Sequence, residues 1–543
     1  MVRRTIKIIT STISSLREAA FWLSLFAFFS QILALVRDRM LTHNFGAGVE
    51  LDTYYAAFKI PDLIFVTVAS LVSISALVPL FAKKETEGEK HLRDATDSIF
   101  TVFSVLIVFF TVLTWFLLPY LVPIVFSGFT QAVQEQTIFL SRILLLSPLL
   151  LGFSNFFGAI VQYEKRFILY SISPLLYNLG IIVGIFFGVE RFGINSAVVG
   201  VVVGAFAHLT LQALFVIKSL KHPRLVVKIK WRDVLETASL SIPRTLALSI
   251  TTFVAFFFAG IASRLGEGSV AVFNLSFNLQ SAPLSLIGVS LSLAAFPALA
   301  ILAARKDFDE MLDRAVEGLR QIIFWSLPAM VLIIILRAHI VRLVLGSGNF
   351  NWDATRLTAA VLAIFVISTV FQSIQLFLSR FHYALGKTKW PILGNIISGV
   401  ITLLLAVIFV KEFAFFSSFF GWVGGVLNIS HLPLKILALP VAFSIGSFFS
   451  VLFLFFSLGV DFYKKIWKKI WRVVVESVVA GVSAGCGAYI ALALTDNFFD
   501  LNTFVGLMGH GMVGGVVGVA VCALVLYLLG NQELKQIFPK VSP

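Results

Sequence analysis

Long apolar runs separated by short polar segments recur along the whole chain. Each run has about 20 residues or more, the length that an α-helix needs to cross the hydrocarbon core of a bilayer. The pattern predicts an all-α, multi-pass membrane protein, because helices satisfy their own backbone hydrogen bonds in lipid. We place fourteen transmembrane helices at residues 19–41, 51–82, 97–126, 136–160, 167–189, 194–217, 234–263, 269–303, 320–345, 356–382, 391–410, 434–459, 473–494 and 503–529.

The composition of the 543-residue chain agrees with this prediction. Hydrophobic residues make up 59% of the chain and charged residues only 13%, with a mean hydropathy of +0.96. A soluble domain has about 25% charged residues. Both cysteines, Cys486 and Cys522, lie inside apolar runs. We interpret them as small buried hydrophobic residues and not as a disulfide or a metal site.

The distribution of basic residues predicts the orientation of the chain. The net charge is +14. If the N-terminus is cytoplasmic, 30 of the 42 basic residues fall in cytoplasmic segments and nine on the other side. Cytoplasmic loops of membrane proteins carry the excess of Lys and Arg, so we expect both termini in the cytoplasm. The positive charge therefore reflects topology, and no nucleic-acid-binding motif accompanies it.

Three short motifs occur twice, at offsets of about 217 to 220 residues. The pairs are Val125–Phe129 with Val344–Phe350, Tyr163–Phe167 with Tyr383–Lys389, and Pro174-x-x-x-Asn178 with Pro391-x-x-x-Asn395. Long repeats in apolar chains build transporters from homologous lobes. We predict an N-terminal six-helix lobe at 1–218, a C-terminal six-helix lobe at 219–460, and a C-terminal helix pair with a short tail at 461–543.

Three segments between the spans have an unusual pattern. Segments 305–320 and 463–472 carry apolar residues at helical spacing together with basic residues, so we expect helices that lie on the membrane surface. Segment 412–433 is rich in aromatic residues and glycine. It either lies on the membrane or dips into it.

Motifs of common enzymes are absent from the sequence. There is no HExxH, Walker A, GxSxG or DDxxD motif and no zinc-spaced cluster of Cys and His. Asp496 and Asp500 lie four residues apart in a polar loop, and we interpret them as solvated. We therefore expect a carrier or a channel without a cofactor, and not an enzyme.

Apart from the basic residues assigned to loops and span ends, three remain: Lys59, Arg142 and Arg244. A charge within a span is costly and normally faces a polar cavity or a partner. Arg142 is close enough to the end of its span to reach the interface. Arg244 follows Pro243 in the first span of the second lobe.

The second span carries a polar face. Asp52, Lys59 and Asp62 are spaced by seven and three residues, so they share one side of a helix. Pro61 should bend the helix beside them. This face indicates either a water-filled cavity or a structural cluster of ion pairs between two helices.

Arg37, Asp38 and Arg39 end the first span. Two arginines beside one aspartate form either an interface anchor or an anion site. The second interpretation rests on the ability of guanidinium groups to bind phosphate oxygens in a bidentate way.

Several of these residues belong to motifs that resemble the MurJ (MviN) family of lipid II flippases. The matching segments are Ser30–Asp38, Phe45–Gly48, Asp52, Ala57–Pro61, Leu140–Ile143, Arg342–Thr358, Arg380–Ala384 and Lys387–Pro391. They occur in order along nearly the whole chain. The resemblance implies a fourteen-helix, MATE-like exporter of the multidrug/oligosaccharidyl-lipid/polysaccharide superfamily. It also implies a cationic central cavity and two extra helices that form a lipid-facing groove.

The sequence departs from the family pattern at several cavity positions. The resemblance implies that arginines at these positions bind the diphosphate of the substrate. Of these arginines, Arg37 is retained. Neutral residues stand at the other arginine positions: Gln31, Phe65 and Asn278. In addition, Ser70-Leu71 stands where the family pattern has an acidic residue followed by glycine. Either Arg37, Lys59 and Arg244 form the cationic site in a different way, or the chain moves another substrate.

The predicted function is a flippase for a polyprenyl-diphosphate-linked saccharide, with lipid II as the first candidate substrate. It would move this substrate from the inner to the outer leaflet of the bacterial cytoplasmic membrane by alternating access. The alternatives are a flippase for another lipid-linked glycan, a cation-coupled multidrug exporter, and a non-transporting scaffold. The candidate substrate-binding residues are Arg37, Asp38, Asp52, Lys59, Arg244, Gln31 and Asn278.

The remaining expectations concern energy and partners. No nucleotide-binding motif is present, so we expect transport to be driven by the membrane potential or by a monovalent cation. The expected partners are the lipid-linked substrate and membrane lipids, without nucleic acid, and we expect a monomer.

Overall fold

The chain folds into α-helices, most of them long. The structure is a computed structural model and describes residues 16–217 and 222–537, in which no strand occurs. The all-α prediction is therefore confirmed for these residues. In chain order the helices are α1 (Leu16–Phe45), α2 (Val49–Thr67), α3 (Ile74–Glu87), α4 (Glu89–Val125), α5 (Gln131–Leu144), α6 (Leu146–Tyr163), α7 (Phe167–Phe192), α8 (Ile194–Val216), α9 (Trp231–Ala262), α10 (Ser269–Pro283), α11 (Ser290–Ala304), α12 (Phe308–Leu345), α13 (Trp352–Ala384), α14 (Lys389–Lys411), α15 (Phe413–Val426), α16 (Ala438–Phe456), α17 (Val460–Thr495), α18 (Phe504–Leu528) and α19 (Gln532–Ile537).

Twelve helical segments of the described residues are long and apolar enough to cross a membrane. They correspond to twelve of the predicted spans, so the chain is a multi-pass membrane protein. The two other predicted spans, 51–82 and 234–263, coincide with α2–α3 and with α9. In α9, the apolar stretch found among the described residues is Ser249–Ala262. The count of fourteen therefore stays a prediction.

Pro61 lies inside α2 without ending the helix, which continues to Thr67. A proline in a helix leaves the carbonyl four residues earlier without its backbone donor. That carbonyl belongs to Ala57, and the hydroxyl of Ser141 on α5 donates to it at 3.1 Å. A side chain of a neighbouring helix thus satisfies the group that Pro61 frees, as is common within membranes.

The second predicted span is interrupted further along, after Thr67. A short 3₁₀-helix occupies Ala69–Val72, and α3 begins at Ile74. The carbonyl of Leu71 in this break accepts a hydrogen bond from Ser241 Oγ of α9 at 2.7 Å. The prediction of one continuous helix over 51–82 is therefore wrong, because side-chain donors make a break in the backbone tolerable.

The helices form two compact units. The first contains the described residues up to Val270 together with Gly348–Phe350, and the second contains Ala271–Ser347 and the residues from Asn351 onward. Within the first unit, α9 packs against α2, α3 and α4. The lobe boundary at residue 218 was inferred from the sequence repeat, and it stays a prediction.

Helices α7 and α8 approach each other closely through glycines in the first unit. A Cβ atom on Gly180 would lie 2.4 Å from the Cα atom of Gly204, and one on Gly200 would lie 2.7 Å from Gly180 O. Small residues allow helix backbones to come together in membranes, where van der Waals packing drives association. These glycines hold α7, which carries a residue of the candidate site, against α8.

The segment 222–230 has no regular secondary structure, yet side chains of α4 bind its backbone. The N–H groups of Arg224, Val226 and Lys230 donate to Asp97 Oδ1 at 2.8 Å, Thr101 Oγ1 at 3.0 Å and Ser98 Oγ at 3.0 Å. Backbone donors outside helices need such partners. The polar residues of α4 therefore fix the path of this segment.

A partly buried ion-pair cluster joins α3 to α9. Lys84 Nζ lies 2.9 Å from a carboxylate oxygen of Glu87 and 2.9 Å from one of Asp233. Hydrogen bonds to Glu87 and Asp233 raise the pKa of Lys84 above its ordinary value of 10.5. A raised lysine pKa gives stability that is fully present below that ordinary value and is lost as the pH rises through the folded-state value. The cluster therefore stabilises the fold at neutral pH.

In the second unit, α12 packs against α13, α17 and α18. The apolar face of segment 305–320 includes Met311, Leu312 and Leu319, which are 0%, 4% and 1% exposed in the core of this unit. The prediction that 305–320 lies on the membrane surface is therefore wrong, since this segment begins α12 and its apolar face contacts protein. An amphipathic helix has the same sequence pattern whether its apolar face contacts protein or lipid.

Segment 463–472 has a mixed environment at the start of α17. Ile466 and Ile470 are buried in the same core, whereas Trp467 and Trp471 are 42% and 53% exposed. An ion pair between Lys469 and Asp313 connects this part of α17 to α12. One face of the segment therefore binds protein, and the tryptophans remain available to the headgroup region.

The second unit also contains α15, within the segment 412–433. The helix has 14 residues, all of them uncharged, and lies against α14 and the 3₁₀-helix Leu434–Leu437. Phe420 is fully buried, while Phe415 and Trp422 are 82% and 67% exposed. A helix of this length is about 21 Å long, too short to cross a bilayer.

Corresponding helices of the two halves have nearly the same length. Helix α4 has 37 residues and α12 has 38, and the segment Gln131–Tyr163 has 33 residues, as does α13. The turns that follow also match, with positive φ at Lys165 and Gly386. In each turn, the following backbone N–H donates to the carbonyl five residues earlier. Arg166 N–H donates to Val161 O, and Lys387 N–H donates to His382 O. These equivalences support the repeat seen in the sequence.

The glycine contact between α7 and α8 leads to a stability prediction. We expect Gly204→Val to lower the free energy of unfolding by roughly 1–3 kcal/mol, the usual cost of overpacking, because its Cβ would lie 2.5 Å from Tyr177 O. Thermal unfolding of the purified protein in detergent measures the effect. The control is Gly421→Val on α15, where a Cβ meets no atom within 4 Å. Equal unfolding temperatures for the two variants would contradict the close approach.

Candidate functional site

Arg37, near the end of α1, is the centre of a polar cluster in the first unit. Its guanidinium donates to Asp38 Oδ1 from Nε at 2.9 Å and from Nη2 at 2.7 Å, and to Asn178 Oδ1 from Nη1 at 3.1 Å. The side chain of Arg37 is 19% exposed and that of Asp38 is 5% exposed. The arginine is thus held by two partners while part of it remains accessible.

Asn178 gives a physical meaning to one of the repeated motifs. It lies on α7, four residues after Pro174, and its Nδ2 donates to Ser30 Oγ of α1 at 3.2 Å. Its Oδ1 accepts the hydrogen bond from Arg37 and so orients that side chain. In the second unit, the equivalent Asn395 accepts a hydrogen bond from Gln375 Nε2 at 2.6 Å. Both asparagines therefore use their side-chain oxygen to hold a polar side chain of another helix.

Three tyrosines surround the pair of Arg37 and Asp38. Tyr54, Tyr55 and Tyr177 all interact electrostatically with Arg37. Tyr54 and Tyr55 lie on α2 and are 3% and 9% exposed, and within the described part of the chain Tyr55 Oη has no hydrogen-bond partner. The tyrosines are not among the predicted site residues. The available signal was the position of Tyr54 and Tyr55 on the polar helix α2.

The predicted polar face of α2 divides into two parts. Asp52 is 2% exposed, and its Oδ2 accepts a hydrogen bond from the N–H of Gly268 at 2.7 Å, so it holds the loop before α10. Lys59 and Asp62 interact electrostatically. Asp62 is exposed and Lys59 is half-buried. Lys59 is therefore partly accessible beside an exposed carboxylate.

The remaining predicted residues lie in three different helices. Gln31 is exposed on α1. Asn278 is half-buried on α10 and belongs to the second unit, where its carbonyl accepts from Ser281 Oγ at 2.6 Å. Arg244 lies in α9, but its side chain is outside the described part of the structure. The structure thus joins Arg37 and Asp38 directly, and the substrate-binding roles of all these residues stay predictions.

Arg142, the third basic residue within a predicted span, has an aromatic partner. Its guanidinium carbon lies 4.4 Å from the ring centroid of Trp115 on α4. This cation–π contact stabilises the charge inside the first unit. Arg142 thus has a partner within the protein, and its place relative to the membrane interface stays a prediction.

The charges of the described cluster nearly cancel. Arg37 is paired with Asp38, and Lys59 interacts with Asp62. Arg37 still has N–H groups beyond the three that bind Asp38 and Asn178, because a guanidinium carries five. These groups suit oxygen acceptors of a phosphate, but a diphosphate needs additional positive charge. Among the described residues, no group of three or more His, Cys, Asp or Glu side chains is placed to hold a metal ion.

Comparison with known families decides the classification of the chain. A family described as "Lipid II flippase MurJ" matches residues 41–508. The chain belongs to the MurJ family. This family consists of flippases, which are transporters and not enzymes. The family resemblance of the sequence motifs is therefore confirmed.

MurJ proteins of other bacteria show how distant the relationship is. A "Probable lipid II flippase MurJ" of Borreliella burgdorferi is 25% identical over 394 residues, covering 70% of this chain and 75% of the relative. A protein of Thermotoga maritima with the same description is 26% identical over 387 residues, covering 71% and 78%. Such identity leaves room for differences at individual cavity positions.

Solved structures share the fold. A structure titled "Lipid II flippase MurJ, inward closed conformation" superposes with a TM-score of 0.72 at 23% identity, covering 94% of this chain and 99% of that chain. An inward-facing MATE-family multidrug resistance transporter of the MOP superfamily gives a TM-score of 0.63 at 15% identity, covering 82% and 95%. The fold is thus that of MurJ and MATE proteins, as the sequence motifs implied.

The contact between Arg37 and Asp38 leads to a prediction for a double-mutant cycle. Removing one partner of a buried ion pair leaves the other charge unpaired, whereas removing both does not. We expect Asp38→Asn and Arg37→Gln each to lower the unfolding free energy, and the double variant to lose at least about 1 kcal/mol less than the sum of the two. Denaturant unfolding in mixed micelles measures the three variants. Additive losses would show that the pair contributes no coupling energy.

Proposed function

We propose that this chain is a flippase that moves a polyprenyl-diphosphate-linked saccharide, lipid II, between the leaflets of the bacterial cytoplasmic membrane. The observation that carries the proposal is the match of residues 41–508 to the MurJ family. The MATE-like fold supports a mechanism of alternating access, in which a central site opens to one side of the membrane at a time. The absence of enzyme motifs from the sequence agrees with transport.

The physical task fits the polar cluster of the first unit. The headgroup of such a substrate is large, polar and anionic, so it needs a hydrated site with fixed donors. Arg37 is held in place by Asp38 and Asn178 and is partly accessible, which makes it the first candidate for a phosphate ligand. Lys59, half-buried beside the exposed Asp62, is the second candidate.

The neutral residues at former arginine positions modify this proposal. Gln31 and Asn278 can donate hydrogen bonds, but neutral bonds are roughly half as strong as charge-assisted ones. Because the described charges nearly cancel, Arg244 is our candidate for the additional positive charge. We therefore propose that the diphosphate is bound more weakly, or at a different position, than in relatives that keep the arginines.

Energy coupling and assembly are part of the same proposal. We propose that the membrane potential or a monovalent cation drives transport, since the sequence has no nucleotide-binding motif. We propose a monomer with both termini in the cytoplasm, on the basis of the excess of Lys and Arg in the segments assigned to that side.

Complementation tests the proposed substrate. We expect the wild-type chain to restore growth of bacteria depleted of their own lipid II flippase, and Arg37→Ala to abolish rescue at unchanged membrane levels. The control is Arg356→Ala, an exposed arginine of α13 outside the cluster, which should still rescue. Failure of the wild-type chain at normal membrane levels would favour another lipid-linked glycan as the substrate. Rescue by Arg37→Ala would exclude that residue as an essential phosphate ligand.

The orientation is tested by labelling with an impermeant thiol reagent in intact cells. The native Cys486 and Cys522 are first replaced by alanine. Single cysteines at the exposed Ser127 and Asn497 should then react, and single cysteines at the exposed Lys90 and Thr388 should react only after the membrane is permeabilised. Reaction of the second pair in intact cells, without the first, would invert the proposed topology.

A further inference from the structure

An apolar groove on the second unit lies apart from the polar cluster described above. It has a volume of about 330 Å³ and is formed by α12, α13, α15 and α16. Its walls include Ile334, Ile367, Trp422 and Val426. Ser444 also lines the groove, but its hydroxyl donates to the carbonyls of Pro440 and Ile364. The groove therefore offers almost no polar group to an occupant.

The side of α15 that lines this groove is apolar and exposed. The helix is uncharged, too short to span a bilayer, and exposes Phe419, Trp422 and Val426 by 46%, 67% and 63%. Large exposed apolar side chains on a membrane protein face lipid tails and not water. The groove therefore suits an apolar chain of a membrane lipid.

Arg337 marks one end of the groove. Its Nη1 donates to Ile334 O at 2.8 Å and its Nη2 to Leu427 O at 3.3 Å, and both of these residues line the groove. Two neutral carbonyls do not balance the charge of a guanidinium. Among the described residues, no carboxylate lies within ion-pair distance of Arg337. The N–H groups of Arg337 beyond these two hydrogen bonds can therefore bind an anion.

We propose that this groove is a binding site for an anionic glycerophospholipid of the surrounding membrane. One acyl chain lies in the groove, and the phosphate binds the free N–H groups of Arg337. Guanidinium groups bind phosphate oxygens in a bidentate geometry, which adds specificity as well as affinity. The site is distinct from the polar cluster around Arg37 because it lies wholly within the second unit.

Lipid binding to the purified full-length protein tests the headgroup. Native mass spectrometry counts bound lipids at equal concentrations of phosphatidylglycerol and phosphatidylcholine. We expect phosphatidylglycerol to bind in preference to phosphatidylcholine. We expect Arg337→Gln to weaken phosphatidylglycerol binding roughly tenfold, because the variant loses one charge-assisted hydrogen-bonding group. Arg356→Gln, at an exposed arginine of the same unit, should bind like the wild-type protein, and Arg337→Lys should retain part of the preference.

A second pair of variants tests the groove itself. Ile367 is 37% exposed in the groove, and Ile408 is 44% exposed on α14 outside it. We expect Ile367→Trp to fill the groove and reduce phosphatidylglycerol binding, and Ile408→Trp to leave it unchanged. This pair keeps the test valid if Arg337→Gln folds poorly.

Three results would overturn the proposal. The first is equal binding of phosphatidylglycerol to the wild-type protein and to both Arg337→Gln and Ile367→Trp. The second is thermal stabilisation by glycerol phosphate as large as that by phosphatidylglycerol, which would indicate a site for free phosphate. The third is a lipid-free dimer that Ile367→Trp dissociates, which would show that a second copy of the chain covers the groove.

Discussion

The cost of an unpaired charge in a low-dielectric membrane interior is the constraint on which this structure depends. It confines most charged residues to the loops, and several of those that remain inside have specific partners. Arg37 is bound by Asp38 and Asn178, and Arg142 stacks on Trp115. The same rule applies to the backbone, where Ser141 satisfies the carbonyl that Pro61 frees. Polar side chains at these places therefore serve the fold before they serve transport.

Much of the fold could be predicted because apolar length is a strong signal. Twelve predicted spans correspond to long apolar helices in the described residues. Two kinds of detail could not be read from hydropathy. In the break after Thr67, the carbonyl of Leu71 is bound by Ser241, a donor far away in the sequence. The burial of Met311 and Leu319 depends on which surface meets the amphipathic helix, and the sequence pattern is the same for protein and for lipid.

The candidate site was accessible to sequence reasoning only in part. Arg37 and Asp38 stood out because charges are rare in apolar spans, and the structure pairs them. Asp52 stood out for the same reason, but its carboxylate binds the backbone of Gly268. Charge alone does not separate a ligand-binding residue from one that fixes a loop. Tyr177 gave no comparable signal, because aromatic residues are abundant throughout this chain.

The balance of charges also limits what the first unit can do by itself. Arg37 and Lys59 face Asp38 and Asp62, so this cluster is polar and donor-rich without a large positive potential. Under the proposed function, a diphosphate in such an environment is bound by oriented donors more than by net charge, and the neutral Gln31 is compatible with that arrangement. Weak binding is an advantage for a carrier, since a substrate held too tightly on one side of the membrane is released slowly on the other. Neutral residues where the family resemblance implies arginines are therefore consistent with a firmly held Arg37.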